Sequence, residues 1–175
     1  TNLLMSFNIN PAPSEMEKRD EVLAKAYTNL IYFGRAFLPN DFLKKSESAP
    51  FHYEMGKKMI DATPGARICN IIPRGHGKSV VAKAAIIHKL CFAADDQQHF
   101  IAWVSEEQSQ AIDHLKYIRS HFENNKMIRY YFGNMDGGSV GKRWTEKDLV
   151  TPKGDRVISK GTSQRLRGRA EVDVR

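Results

Sequence analysis

Ile71-Ile72-Pro73-Arg74-Gly75-His76-Gly77-Lys78-Ser79 is the stretch on which the fold turns, because it places a glycine-bearing loop and then Lys-Ser directly ahead of an apolar helical pattern. Backbone N–H groups of such a loop converge on phosphate oxygens, and the N-terminus of the following helix adds its dipole and its unpaired donors. In this pattern the lysine reaches the β- and γ-phosphates of a nucleoside triphosphate and the serine hydroxyl binds magnesium. Those residues are Lys78 and Ser79, with Pro73, Gly75, His76 and Gly77 forming the cradle. His76 fills a variable position whose contribution is its backbone N–H. The common form of the pattern has a glycine where this chain has Ile72.

Outward from the loop, residues 66–72 read as a short buried strand and residues 78–94 as a helix with one apolar face. Strand, loop and helix in that order are the context the motif requires. The alternation continues with a strand over 98–104, apolar along most of its length, and a helix over 106–124. Such β/α order predicts a parallel sheet with right-handed crossovers and helices on its faces. A short helix over 124–132 and a glycine-rich loop over 133–141 follow. Pro152-Lys153-Gly154-Asp155 then separates residues 148–151 from 156–160, which predicts a β-hairpin. Ahead of the loop, Ser14 and Glu17 have capping-box spacing and open a helical pattern that reaches residue 37. A second helix is predicted over 51–62, after a Ser- and Lys-rich loop over 39–50. Residues 1–13, with Pro11 and Pro13, read as a loose lead-in.

The chain has 175 residues, 41% of them hydrophobic, enough for one domain with its own core. It holds no apolar run of about 18 residues, the length of a membrane-spanning helix. Its first residues lack the basic-then-apolar order of a secretory signal. Cys69 falls in the predicted first strand and Cys91 in the helix after the loop, without ligand or disulfide spacing. Both are expected to be small buried hydrophobes of a reduced compartment. The net charge is +7, and Lys142 to Arg175 carry ten Lys or Arg against five Asp or Glu. A stretch of this kind meets polyanions by neutralising phosphates or forms a solvated face, and charge alone does not choose between the two.

Several segments together resemble the ATPase domain of the large terminase subunit of tailed bacteriophages, the motor that drives DNA into empty capsids. The resemblance spans residues 49–175. Ser48-Ala49-Pro50-Phe51-His52-Tyr53-Glu54-Met55 is similar to the family segment beside the adenine. Pro73 to Ser79 is similar to its variant Walker A motif, in which an arginine commonly stands where Arg74 does, so Ile72 in place of glycine fits this family. The strand before Ser105 and the following Glu106-Glu107-Gln108-Ser109-Gln110-Ala111 look like its second strand and helix start. Gly161-Thr162-Ser163-Gln164-Arg165-Leu166-Arg167-Gly168-Arg169 is similar to a segment whose Arg-Gly pair supplies an arginine finger to a neighbouring subunit.

The resemblance implies a P-loop NTPase type of α/β fold: a parallel sheet flanked by helices, with an N-terminal helical lead-in over 1–48, a partial ATPase domain over 49–175 and a C-terminal β-hairpin. It implies ATP and Mg2+ as cofactors, and double-stranded DNA, a portal and a small terminase subunit as partners of a homo-oligomeric ring in the host cytoplasm, with no membrane. Lys78 and Arg74 would act on the phosphates in the same subunit, Arg74 through the forked contacts of a guanidinium. Arg167 would act in trans; Arg165 and Arg169 lie two positions away, and spacing does not choose among the three. Phe51 and His52 would flank the adenine, although an aromatic at a helix start also serves as a core anchor. Trp103 is expected in the core and Trp144 under the hairpin.

Hydrolysis needs a further carboxylate for magnesium. Asp95-Asp96 continue the helix after the loop and Glu106-Glu107 fit the first turn of the next helix, so neither pair reads as that acid. In the family the acidic strand follows the arginine segment, which makes the chain read as the front of a longer protein, without a nuclease domain. Two other readings stay open from sequence: a helicase-like, nucleic-acid-dependent ATPase, and a basic, non-enzymatic DNA-binding module with a vestigial P-loop.

Overall fold

Asn29 breaks what apolar spacing predicts as one helix over 14–37. In the computed structural model, which describes residues 13–42 and 47–164, helix α1 (Pro13–Thr28) stops there and α2 (Leu30–Phe37) begins. The Asn29 side chain accepts from the Tyr32 amide at 3.0 Å while its own backbone is extended. An N-cap of this kind satisfies a donor that the helix leaves unpaired and lets the chain turn. The expected lead-in up to residue 12, the cap at Ser14 and the segment from Arg165 to Arg169 lie outside the described residues or side chains.

A short helix α3 (Pro39–Phe42) follows, then α4 (Pro50–Ile60) and α5 (Lys78–Cys91). Strand β1 (Phe100–Ser105) leads into α6 (Gln108–Asn124) and α7 (Lys126–Phe132), and the chain closes with β2 (Asp148–Val150) and β3 (Arg156–Gly161). The protein is thus α/β, and the predicted hairpin is present. Its sheet has the order β1-β3-β2. Strand β3 runs parallel to β1, with Phe100 opposite Arg156 and Ser105 opposite Gly161, and antiparallel to β2. The sheet described is therefore mixed, not wholly parallel.

Residues 66–72 correct the sequence reading. They form no strand, Ile71 is 93% exposed, and Cys69 is exposed, not buried. A strand needs neighbours for its N–H and C=O groups. Among the described residues β1 has no partner on its second edge. A trough of about 520 Å³ between α5 and β1, lined by Met59, Ala85, Lys89 and Phe100, lies beside that edge. Cys91 is buried as expected, and burial pushes its thiol well above the ordinary range.

One core joins the helices to the sheet. Phe33 and Phe37 of α2, Ile87 and Leu90 of α5, Leu115 and Ile118 of α6, and Leu149 and Val157 of the hairpin belong to a single buried cluster. Helix α6 lies against β1 and β3, while α5 lies against α2 and α4. The N-terminal helices thereby hold α5, and with it the loop at its start, in place. Trp103 is half-buried and packed on His114, with ring centres 4.3 Å apart, so it borders the core. Trp144 reaches from the hairpin to α6, donating to Glu123 Oε1 at 2.9 Å.

Arg156 fixes the hairpin. Its Nε and Nη2 donate to Asp148 Oδ1 and Oδ2 at 2.9 and 2.8 Å, and Arg143 Nη1 donates to Asp148 Oδ2 at 3.0 Å. Burial acts to raise the Asp148 carboxyl, but the bonds from Arg156 and Arg143 outweigh it and hold it below the usual range. A depressed folded-state value adds stability above the unfolded value of about 3.9, and that stability is lost as pH falls through the folded value. Asp148→Asn is expected to lower unfolding free energy by about 1–3 kcal/mol at pH 7. In urea titrations the gap from wild type should close below about pH 4. A gap that persists at low pH would show that charge is not its cause.

Candidate phosphate-binding loop

Residues 73–77 reach α5 through two glycines in left-handed conformations, Gly75 at φ 81° and Gly77 at φ 73°. Residues with a Cβ rarely adopt this region, so these two positions account for glycine in the motif. Gly77 is the N-cap of α5, and its carbonyl accepts from the Val81 amide at 3.0 Å. The loop lies at the head of a 14-residue helix, where the first amides point outward without helical partners.

Four carbonyls between Ile72 and His76 accept side-chain hydrogen bonds. Lys78 Nζ donates to Ile72 O, and also to Pro73 O at 3.1 Å. His76 Nδ1 donates to Arg74 O at 2.9 Å. His52 Nε2 donates to His76 O at 2.9 Å. In a trans peptide the carbonyl and the next N–H point in opposite directions. With the Arg74 and His76 carbonyls held by these bonds, the amides of Gly75 and Gly77 point away from them, and among the described residues neither donates to a protein acceptor. Successive free N–H groups over a helix N-terminus form a concavity suited to an anion.

The sequence-derived residues fall into four groups. Gly75, His76, Gly77, Phe51 and His52 line one cleft of about 440 Å³, within the roughly 300–1,000 Å³ of small-molecule sites. Lys78 and Ser79 stand in the first turn of α5, next to that cleft, with Ser79 exposed. Arg74 is exposed on the loop, as are Pro73 and His76. Arg165, Arg167 and Arg169 lie outside the described residues, but the root of their segment is fixed. Thr162 N donates to Ser105 O at 3.0 Å and Gln164 Nε2 to Gln108 Oε1 at 2.8 Å. That places the root at the carboxyl end of the parallel pair β1 and β3, the edge where open α/β sheets hold their sites.

The structure adds to one expectation here and corrects another. Both ring nitrogens of His52 are engaged, Nδ1 accepting from the Ala49 amide at 3.0 Å and Nε2 donating to His76 O. Its ring edges are therefore tied into the backbone, while Phe51, with its ring centre 4.1 Å from that of His52, remains the aromatic wall of the cleft. Glu107 is the N-cap of α6, so Glu106 and Glu107 precede the helix instead of filling its first turn.

Sequence reasoning missed Asp41. It lines the same cleft, and Tyr117 Oη donates to its Oδ2. Lys83 Nζ lies 3.7 Å from the centre of the Tyr117 ring, within cation–π range. Burial, and then the bond to Asp41, push the Tyr117 phenol above its ordinary range, while burial lowers Lys83. Asp41 and Tyr117 are 76 positions apart, so no local pattern announces the pair.

Among the described residues no group of three or more His, Cys, Asp or Glu is placed to hold a metal. A magnesium ion that keeps several waters and binds substrate phosphates needs no such cage, and an exposed serine hydroxyl beside the loop fits it. No described helix is long and apolar enough to cross a membrane. No family model matches the chain, and neither a curated protein nor a solved structure matches it.

Proposed function

We propose that this chain is the ATP-binding part of a viral DNA-packaging motor of the large-terminase type, which hydrolyses ATP to move double-stranded DNA into a procapsid. The observation that carries the ATP-binding half is the loop itself: carbonyls tied back and free amides left between Gly75 and the start of α5. The motor half rests on the resemblance of Pro73 to Ser79 and of Gly161 to Arg169 to the family, and on the basic last stretch of the chain.

In this reading the loop amides and the α5 N-terminus bind the triphosphate, and Lys78 exchanges the carbonyls of Ile72 and Pro73 for phosphate oxygens. Ser79 holds Mg2+, which supplies charge neutralisation at the phosphates when bound. Phe51 walls the base and Arg74 contacts the γ-phosphate. Arg167 reaches a neighbouring subunit of a homo-oligomeric ring, whose further partners are a portal and a small terminase subunit in the host cytoplasm.

Calorimetric titration tests the binding step. Saturable binding of ATP with Mg2+, weakened about tenfold or more when the metal is chelated, is expected from the loss of a charge-assisted contact. Absence of saturable ATP binding would overturn the proposal, and salt-sensitive DNA binding without any ATP response would favour a DNA-binding module instead.

A further inference from the structure

We infer that His52 is a positioning residue that sets the phosphate-binding conformation of the loop by holding the His76 carbonyl. The inference rests on the reading of residues 73–79 as a phosphate site. The Ala49 amide is a donor only, so the ring nitrogen that accepts from it at 3.0 Å, Nδ1, carries no proton. The proton of neutral His52 therefore sits on Nε2, which is 2.9 Å from His76 O and donates to it. One ring thus ties the start of α4 to the middle of the loop, across 24 positions of sequence.

The His76 carbonyl and the Gly77 amide share one planar unit, and the chain has no cis peptide among its described residues. Anchoring the oxygen on His52 directs the Gly77 N–H to the opposite side. The approach is close: a Cβ at Gly77 would stand 3.3 Å from His52 Nε2. Without the bond the His76–Gly77 peptide is free to rotate, because glycine accepts both signs of φ, and its N–H is no longer aimed. His52 therefore acts on the phosphates through the backbone.

Two substitutions separate the halves of the ring. His52→Asn puts an amide oxygen near the Nδ1 position and keeps an acceptor for Ala49, but loses the donor to His76. His52→Gln carries a donor of similar reach to Nε2 and loses the acceptor. Wild type and both variants are titrated with Mg–ATP and with inorganic tripolyphosphate, which has no base. His52→Asn should weaken both ligands by a similar factor of about ten, the scale of one hydrogen bond to a charged group, and His52→Gln should stay within about threefold of wild type.

Unchanged tripolyphosphate affinity in His52→Asn, with or without a loss for ATP, would overturn the inference, as would equal losses in the two variants. If wild type binds neither ligand, the loop reading itself fails and the inference falls with it. A wild type that binds both ligands beside an unaffected Asn variant sinks the inference alone. Should the Asn variant not fold, the wild-type Gly77 amide decides: its proton resonance should move downfield on adding tripolyphosphate, and a resonance that stays put would overturn the assignment.

Discussion

Lys78→Ala is expected to lower affinity for Mg–ATP by about 100-fold or more, while leaving thermal unfolding within a few degrees of wild type. The ammonium holds the carbonyls of Ile72 and Pro73 in the free protein. On the proposed reading it would trade two neutral acceptors for charged ones on binding a triphosphate, and hydrogen bonds to charged groups contribute about 1.5–3 kcal/mol each. A loss of about 2.7 kcal/mol corresponds to 100-fold in Kd. The stability cost should be small because Lys78 is half-exposed and its partners lie near solvent. Equal ATP affinity in wild type and Lys78→Ala would remove the motif from the site. A parallel loss of folding would mean that the lysine ties the loop together and does no more.

Phe33→Ala is expected to cost about 3–5 kcal/mol of unfolding free energy, the range for deleting a buried aromatic. Phe33 has no exposed surface, and its ring lies 4.9 Å from Phe37, 5.1 Å from His88 and 6.3 Å from Phe132, centre to centre. It therefore joins α2 to α5 and α7 at one point. Domains are stable by only about 5–15 kcal/mol in total, so the loss should appear as a fall of about 10 °C in Tm. Chemical denaturation gives the free energy directly. A cost below about 1 kcal/mol would mean that the site collapses around the truncated side chain or that α2 contributes little to the core.

These two residues also divide what was legible in the chain. Lys78 could be found by reading, because the motif is contiguous and its chemistry follows from residue type and spacing. Helices over the apolar repeats and the hairpin at Pro152 to Asp155 were legible for the same reason: their signals are local. The break at Asn29 was legible in principle, since asparagine is a common N-cap, but the unbroken apolar spacing on both sides hid it.

What failed depended on partners remote in sequence. Residues 66–72 have the apolar character of a buried strand, yet a strand exists only where a neighbour supplies hydrogen bonds, and among the described residues none does. His52 could be read only as an aromatic at a helix start, and its two bonds to Ala49 and His76, which sequence gave no sign of, also make it a brace. Asp41 gave no signal until Tyr117 lay against it. Sequence by itself determined the α/β class, the loop and the candidates Lys78 and Ser79, because glycine conformation, helix ends and apolar period act over a few residues. Tertiary structure decided which carbonyls are tied back, which amides stay free and which acids face the cleft. Those properties depend on directions in space, and chain order does not encode direction between residues that meet only after folding.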